Sequence, residues 1–123
     1  MPRERIAMSA DEVGAFLAAK RTAIVGLRGA DGAPDGVPAT ISYRDGVLVV
    51  ELRADGDAAR SLEHDPRIVV SVEEYPSYAR IRGVAVHGRA VPVGAQDGRE
   101  RFRVDEPRIE SFDFAKMKRA PAG

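Results

Sequence analysis

From Val37 to Arg53 the chain alternates apolar and polar side chains on both sides of an Asp45-Gly46 pair. Ala39, Ile41 and Tyr43 fall on one face and Thr40 and Ser42 on the other; beyond the pair, Leu48, Val50 and Leu52 share a face while Glu51 and Arg53 look elsewhere. A period of two over this length is a half-buried strand, and Asp-Gly between two such runs is a strong signal for a two-residue hairpin. An antiparallel hairpin with one apolar face excludes an all-helical fold, and the rest of the chain must cover that face.

The flanking segments supply the cover. Ser9-Ala-Asp-Glu12 has capping-box spacing, and Val13, Phe16, Leu17 and Lys20 follow at three- and four-residue steps, so an amphipathic helix is expected from about Ala10 to Ala19. Arg21 to Arg28 changes period, with Ala23, Val25 and Leu27 set against Thr22, Ile24 and Gly26. Arg67 to Glu73 reads as a strand carrying Ile68, Val70 and Val72 on one face. A longer strand, Ala79 to Val93, contains Gly83 and Gly88, which suggest bends or bulges. Gly94 to Arg99 reads as a polar loop, and Glu100 to Val104 and Ile109 to Phe114 as two last strands joined by Asp105-Glu-Pro107. The expectation is a mainly β fold: a small, closed or nearly closed barrel of six or seven strands with helices at its ends. One domain over residues 1–123 is expected, with 1–8 and 117–123 as flexible ends.

Arg53 to Pro66 is the stretch most relevant to binding. A strand ends at Arg53, a short helix from Asp57 to His64 rests on Ala58, Ser61 and Leu62, and Asp65-Pro66 stops it. A helix N-terminus attracts anions through unpaired N–H groups and its dipole. Here Asp55 and Asp57 occupy that end, and either could cap the helix.

Other chemistry is sparse. The chain lacks cysteine, which removes disulfides, thiolate catalysis and cysteine metal sites. Nineteen basic residues balance nineteen acidic ones, so no net field favours nucleic acid. No apolar run approaches the roughly 20 residues of a membrane span, and the charged start leads into no apolar signal core; a soluble, cytoplasmic protein is expected. His64 and His87 are isolated from metal-ligand spacings, so no metal site is expected. No phosphate loop and no serine elbow occurs. Arg80, Arg82 and Arg89 could line an anion site, but a solvated surface paired to acids is the favoured reading; Tyr75 and Tyr78 could cap a cleft or pack in an interface.

Several local strings, taken in order, resemble the pyridoxamine 5'-phosphate oxidase-like split-barrel family, particularly its small deazaflavin-using branch. They are Phe16-Leu-Ala-Ala-Lys-Arg-Thr-Ala23, Gly32-Ala-Pro34, Asp45-Gly46, Arg60-Ser-Leu62 through Asp65-Pro-Arg67, Arg82-Gly-Val-Ala-Val-His-Gly-Arg-Ala90, and Ser111-Phe-Asp-Phe-Ala-Lys116. The resemblance implies a split-barrel homodimer binding deazaflavin coenzyme F420 or FMN in clefts at the subunit interface, and hydride transfer to or from a small conjugated substrate. Thr40, Ile41 and Ser42 would form the wall beside the cofactor ring, and Arg53 and Arg60 would hold its phosphate. Two departures from the family stand out. Asp55, Gly56 and Ala58 replace the usual Lys, Ser and Lys at the phosphate turn, and the segment after Val93 is shortened. The alternative is a split-barrel dimer without nucleotide cofactor, acting as a small-molecule-binding or accessory protein.

Overall fold

The computed structural model describes residues 6–75 and 80–119. Helix α1 (Ala10–Ala18) begins with the expected capping box, Ser9 Oγ accepting from Glu12 N–H and Glu12 Oε1 from Ser9 N–H, and buries Val13, Phe16 and Leu17. Six antiparallel strands follow: β1 (Thr22–Arg28), β2 (Pro34–Arg44), β3 (Val47–Arg53), β4 (Arg67–Glu74), β5 (Arg82–Gln96) and β6 (Arg99–Asp113), with helix α2 (Asp57–His64) between β3 and β4 and a 3-10 helix from Phe114 to Arg119. The strands close a barrel in the order β1-β2-β3-β6-β5-β4.

Closure follows from the alternation already visible in the sequence. Ala23, Val25 and Leu27 of β1, Ala39 and Ile41 of β2, Leu48, Val50 and Leu52 of β3, and Ile68, Val70 and Val72 of β4 all point inward and are buried. Phe102 and Val104 of β6 and Val84 and Val86 of β5 complete the interior, so each strand contributes one face to a single core. Helix α2 lies on this core through Ala59, Ser61 and Leu62, with Ala58, expected as an anchor, only half-buried beside them.

The C-terminal half departs from the sequence reading. Gly94 to Arg99 is not a loop: β5 runs on to Gln96 and turns at Asp97-Gly98, whose φ values of 53° and 73° match those of Asp45 (53°) and Gly46 (77°) in the first hairpin. Both are tight hairpin turns that need positive φ at two successive residues. Nor is Asp105-Glu-Pro107 a turn between two strands. Strand β6 passes through it unbroken, with Glu106 at φ 52° as part of a bulge that shifts the register between His87↔Arg108 and Arg89↔Asp105. Gly88 faces this bulge, and a Cβ there would stand 2.5 Å from the Asp105 carbonyl oxygen, so only glycine lets the strands approach. Arg80 precedes β5, so it does not share a strand face with Arg82; Tyr78 and the expected strand start at Ala79 lie outside the described residues.

The first and last described segments are stitched together. Met8 N–H donates to Ser111 Oγ at 2.9 Å, Asp113 N–H to the Ile6 carbonyl at 2.8 Å, and Lys116 Nζ to Glu12 Oε1 at 2.6 Å and the Ala7 carbonyl at 3.1 Å. The Lys116 hydrogen bond, with help from the Ser9 N–H, lowers the Glu12 carboxyl from an ordinary 4.5 to about 2. A depressed folded-state value adds stability that is complete above about pH 4.5 and vanishes as pH falls toward 2. Glu12→Gln, which keeps the capping geometry but not the charge, is therefore expected to lower Tm at pH 7 and flatten the Tm profile between pH 4.5 and 2. Thermal scans across that window check this. A profile parallel to the parent's would show that the clasp carries no charge-dependent stability.

Candidate functional site

The outward face of β2 continues across β3 and β6. Register pairs Thr40 with Thr22 of β1 and Glu51 of β3, Ser42 with Val49, Glu51 with Arg101 of β6, and Arg53 with Arg99. Thr40 and Ser42 are half-buried on this face. Ile41, expected beside them, points the other way: its side chain is 4% exposed in the barrel core, and its N–H is spent on the Arg21 carbonyl at 2.9 Å. Strand alternation explains the split, since three consecutive residues cannot share a face. Of the three, only Thr40 and Ser42 present their side chains on the outer face.

Next to Thr40 the surface opens into a cleft of about 660 Å3 lined by Lys20, Thr22, Ile24, Pro38, Ser71 and Tyr75, among others. Ile24 is 53% exposed and Tyr75 64%, so the cleft offers apolar surface. Lys20 at its rim bonds Glu74, which also takes the Arg82 guanidinium at 2.9 Å; these cations hold the Glu74 carboxyl below its usual range. Thr22 and Ile24 could be read from the β1 alternation as outward-facing, but their meeting with Pro38 and Ser71 needed the strand order.

At the end of β3 the turn into α2, which the family resemblance implies as the phosphate site, has the expected strand end and short helix in a specific electrostatic state. Gly56, not Asp55 or Asp57, is the N-cap of α2, and no side chain caps the helix. Arg53 Nε lies 3.4 Å from Asp55 Oδ1, and Arg60 bonds Asp57 Oδ1 while its Nη1 reaches the Asp55 carbonyl at 3.3 Å. Both guanidinium groups thus have an acidic partner. Those pairs are weak competitors: Arg53 and Asp55 are 78% and 77% exposed and Asp57 is 92% exposed, and such surface pairs contribute about 0–1 kcal/mol each. A hydrogen bond to a phosphate oxygen, at about 1.5–3 kcal/mol, outweighs them. Two redirectable arginines and an uncapped helix N-terminus therefore fit a phosphate group, against repulsion from Asp55 and Asp57.

A second cleft, of about 560 Å3, is lined by Arg28, Pro34, Arg67, His87 and Gly88 among others. Two of its charged side chains have close partners. Arg67 holds Asp65 at 2.6 Å and pushes that carboxyl well below its usual range, and His87 Nε2 lies 2.9 Å from Glu110 Oε1. Among the described residues no group of three or more His, Cys, Asp or Glu side chains converges to hold a metal, and no helix is long and apolar enough to cross a membrane.

The sequence that folds into this barrel matches the family profile of pyridoxamine 5'-phosphate oxidase over residues 9–121. The chain belongs to the pyridoxamine 5'-phosphate oxidase family. Solved structures share its fold at low identity. A conserved hypothetical protein of Mycobacterium tuberculosis aligns over 100% of this chain and 95% of its own at 24% identity, with a TM-score of 0.85. An FAD-binding protein of Mesorhizobium loti aligns over 87% of this chain and 96% of its own at 20% identity and a TM-score of 0.73. The heme storage protein HutZ of Vibrio cholerae aligns over 85% and 94% at 15% identity and a TM-score of 0.68. No curated protein matches the sequence. Proteins sharing this fold are thus described as FAD-binding and as heme-storing.

Proposed function

We propose that this member of the pyridoxamine 5'-phosphate oxidase family binds a phosphate-bearing flavin-type cofactor, deazaflavin coenzyme F420 or FMN, and acts as an oxidoreductase on a small conjugated substrate. The observation that carries this reading is one outer face on which the Ile24-Pro38 cleft, the Thr40 hydroxyl and, two residues beyond its register partner Glu51, Arg53 with the uncapped start of α2 lie together, with Ser42 further along β2 on the same face. Apolar surface for a ring, hydroxyls for its polar edge and cations for its phosphate lie on neighbouring strands. When bound, such a cofactor supplies hydride transfer.

The residues of the chain have the narrower tasks of binding and orientation. Ile24 and Pro38 offer contact to a ring face, Thr40 and Ser42 hydroxyls donate or accept at its edge, and Arg53 and Arg60 turn from their acids toward the phosphate. The outside of a barrel is convex and cannot by itself exclude water from a ring. A second copy of the chain packed on this face, as in a homodimer, would close the cleft and cover Ile24.

One observation favours a second reading, a cofactor-free dimer whose cleft holds another small molecule: Arg53 and Arg60 both already carry carboxylate partners. Calorimetric titration with FMN and with the deazaflavin coenzyme, at low and physiological salt, separates the two. Micromolar binding that weakens with salt is expected for the cofactor reading. Absence of heat with either ligand would leave the cofactor-free dimer.

A further inference from the structure

We infer that Arg99 is a phosphate-binding residue that works as a pair with Arg53, the two guanidinium groups bridging one phosphate at the junction of β3, β6 and α2. This deepens the proposed cofactor site and rests on that reading for the identity of the phosphate's owner. Arg53 and Arg99 are direct register partners on adjacent antiparallel strands. Like charges placed so are destabilising, and the arrangement is relieved when an anion lies between them. Arg53 has only its exposed contact with Asp55, and Arg99 has no hydrogen-bond or ion-pair partner among the described residues. One pair further along β6, Arg101 Nε is buried without a hydrogen bond, 3.5 Å from Glu51 Oε1, so that carboxylate is directed to Arg101 and is not free to neutralise Arg99.

The position of Arg99 is fixed by backbone. Ala54 N–H donates to the Gly98 carbonyl at 2.9 Å, which holds the tip of the β5-β6 hairpin against the turn leading into α2. The short, tight Asp97-Gly98 turn thereby delivers Arg99 to the phosphate turn. From Ile24 on β1 to Arg99 on β6 the outer face spans three strand steps, about 14 Å along the sheet, enough to separate a ring from its phosphate. In a chain that has Asp55 and Ala58 where lysines are usual, a cation arriving from β6 restores part of the missing positive charge.

The test uses wild type, Arg99→Gln and Arg99→Lys, titrated with FMN, with riboflavin, which lacks the phosphate, and with inorganic phosphate while the arginine Nε–H resonances are followed by NMR. Arg99→Gln is expected to weaken FMN by about tenfold with riboflavin unchanged, Arg99→Lys to recover part of the loss, and inorganic phosphate to shift Arg53 and Arg99 together. FMN binding that is equal in wild type and Arg99→Gln would overturn the assignment and leave the cofactor reading standing. No FMN binding, with inorganic phosphate still moving both resonances, would uphold the arginine pair and discard FMN as the owner of the phosphate. No response to FMN or to inorganic phosphate would overturn both the arginine pair and FMN binding.

Discussion

Phe102→Ala is expected to destabilise the fold by about 3–5 kcal/mol, read from urea denaturation followed by circular dichroism. Phe102 is 1% exposed and is the largest of the fully buried side chains. It stands opposite Val50 across the β3-β6 pairing and opposite Pro92 across β5-β6, so it fills the place where the long ribbon is joined to the first hairpin. Removing the ring opens a cavity that neighbours from two different strand pairs cannot refill without breaking register. For a domain whose total stability is about 5–15 kcal/mol, that loss is about a fifth or more. A change below about 1 kcal/mol would mean that β6 does not close the barrel core as described.

Asp55→Lys combined with Ala58→Lys is expected to tighten FMN or deazaflavin binding by two to four decades, the equivalent of about 3–6 kcal/mol for two restored charge-assisted hydrogen bonds. The first substitution also releases Arg53 from its partner. The Asp55 substitution is not expected to damage the fold. The Asp55 side chain is 77% exposed, and the contact that shapes the turn, Arg60 Nη1 to the Asp55 carbonyl, uses backbone that any residue supplies. Arg53→Ala is expected to move affinity the opposite way. Calorimetric dissociation constants for the parent and both variants decide the matter, and unchanged affinity in all three would remove the phosphate from this turn.

The first half of the chain was legible because its strands, apart from Pro34 to Gly36 at the start of β2, are wet on one face only. Alternation located β1 to β4, Asp45-Gly46 fixed the hairpin, and Ser9 with Glu12 marked the start of α1. The β5-β6 ribbon was misread for the converse reason. From Val93 to Gln96 the residues are exposed on both sides, so no period of two exists to be seen, and Gly94 at φ 134° looks like a loop residue although it is paired with Arg101. Asp105-Glu-Pro107 carries turn chemistry, and the barrel uses it for a bulge opposite Gly88.

At the candidate site, the family resemblance grouped Ile41 with Thr40 and Ser42, whereas the alternation of the sequence already set Ile41 on the opposite face, where the structure buries it. The sequence also flagged Asp55 and Asp57 as a conflict without showing how it is resolved, because the pairing of each acid with its own arginine depends on where the helix begins. The juxtaposition of Arg53 with Arg99 depends on the β3-β6 register, a contact between residues far apart in the chain.

The central claim is that a phosphate-bearing cofactor lies along the outer face from Thr40 to the start of α2. Backbone amide chemical-shift mapping of the isotope-labelled protein during FMN titration tests it most directly. The account predicts that the largest shifts fall at Thr40, Ser42 and the first-turn amides Asp57 to Ala59. Shifts confined to Gly26 to Arg28 and His87, around the other cleft, would contradict it.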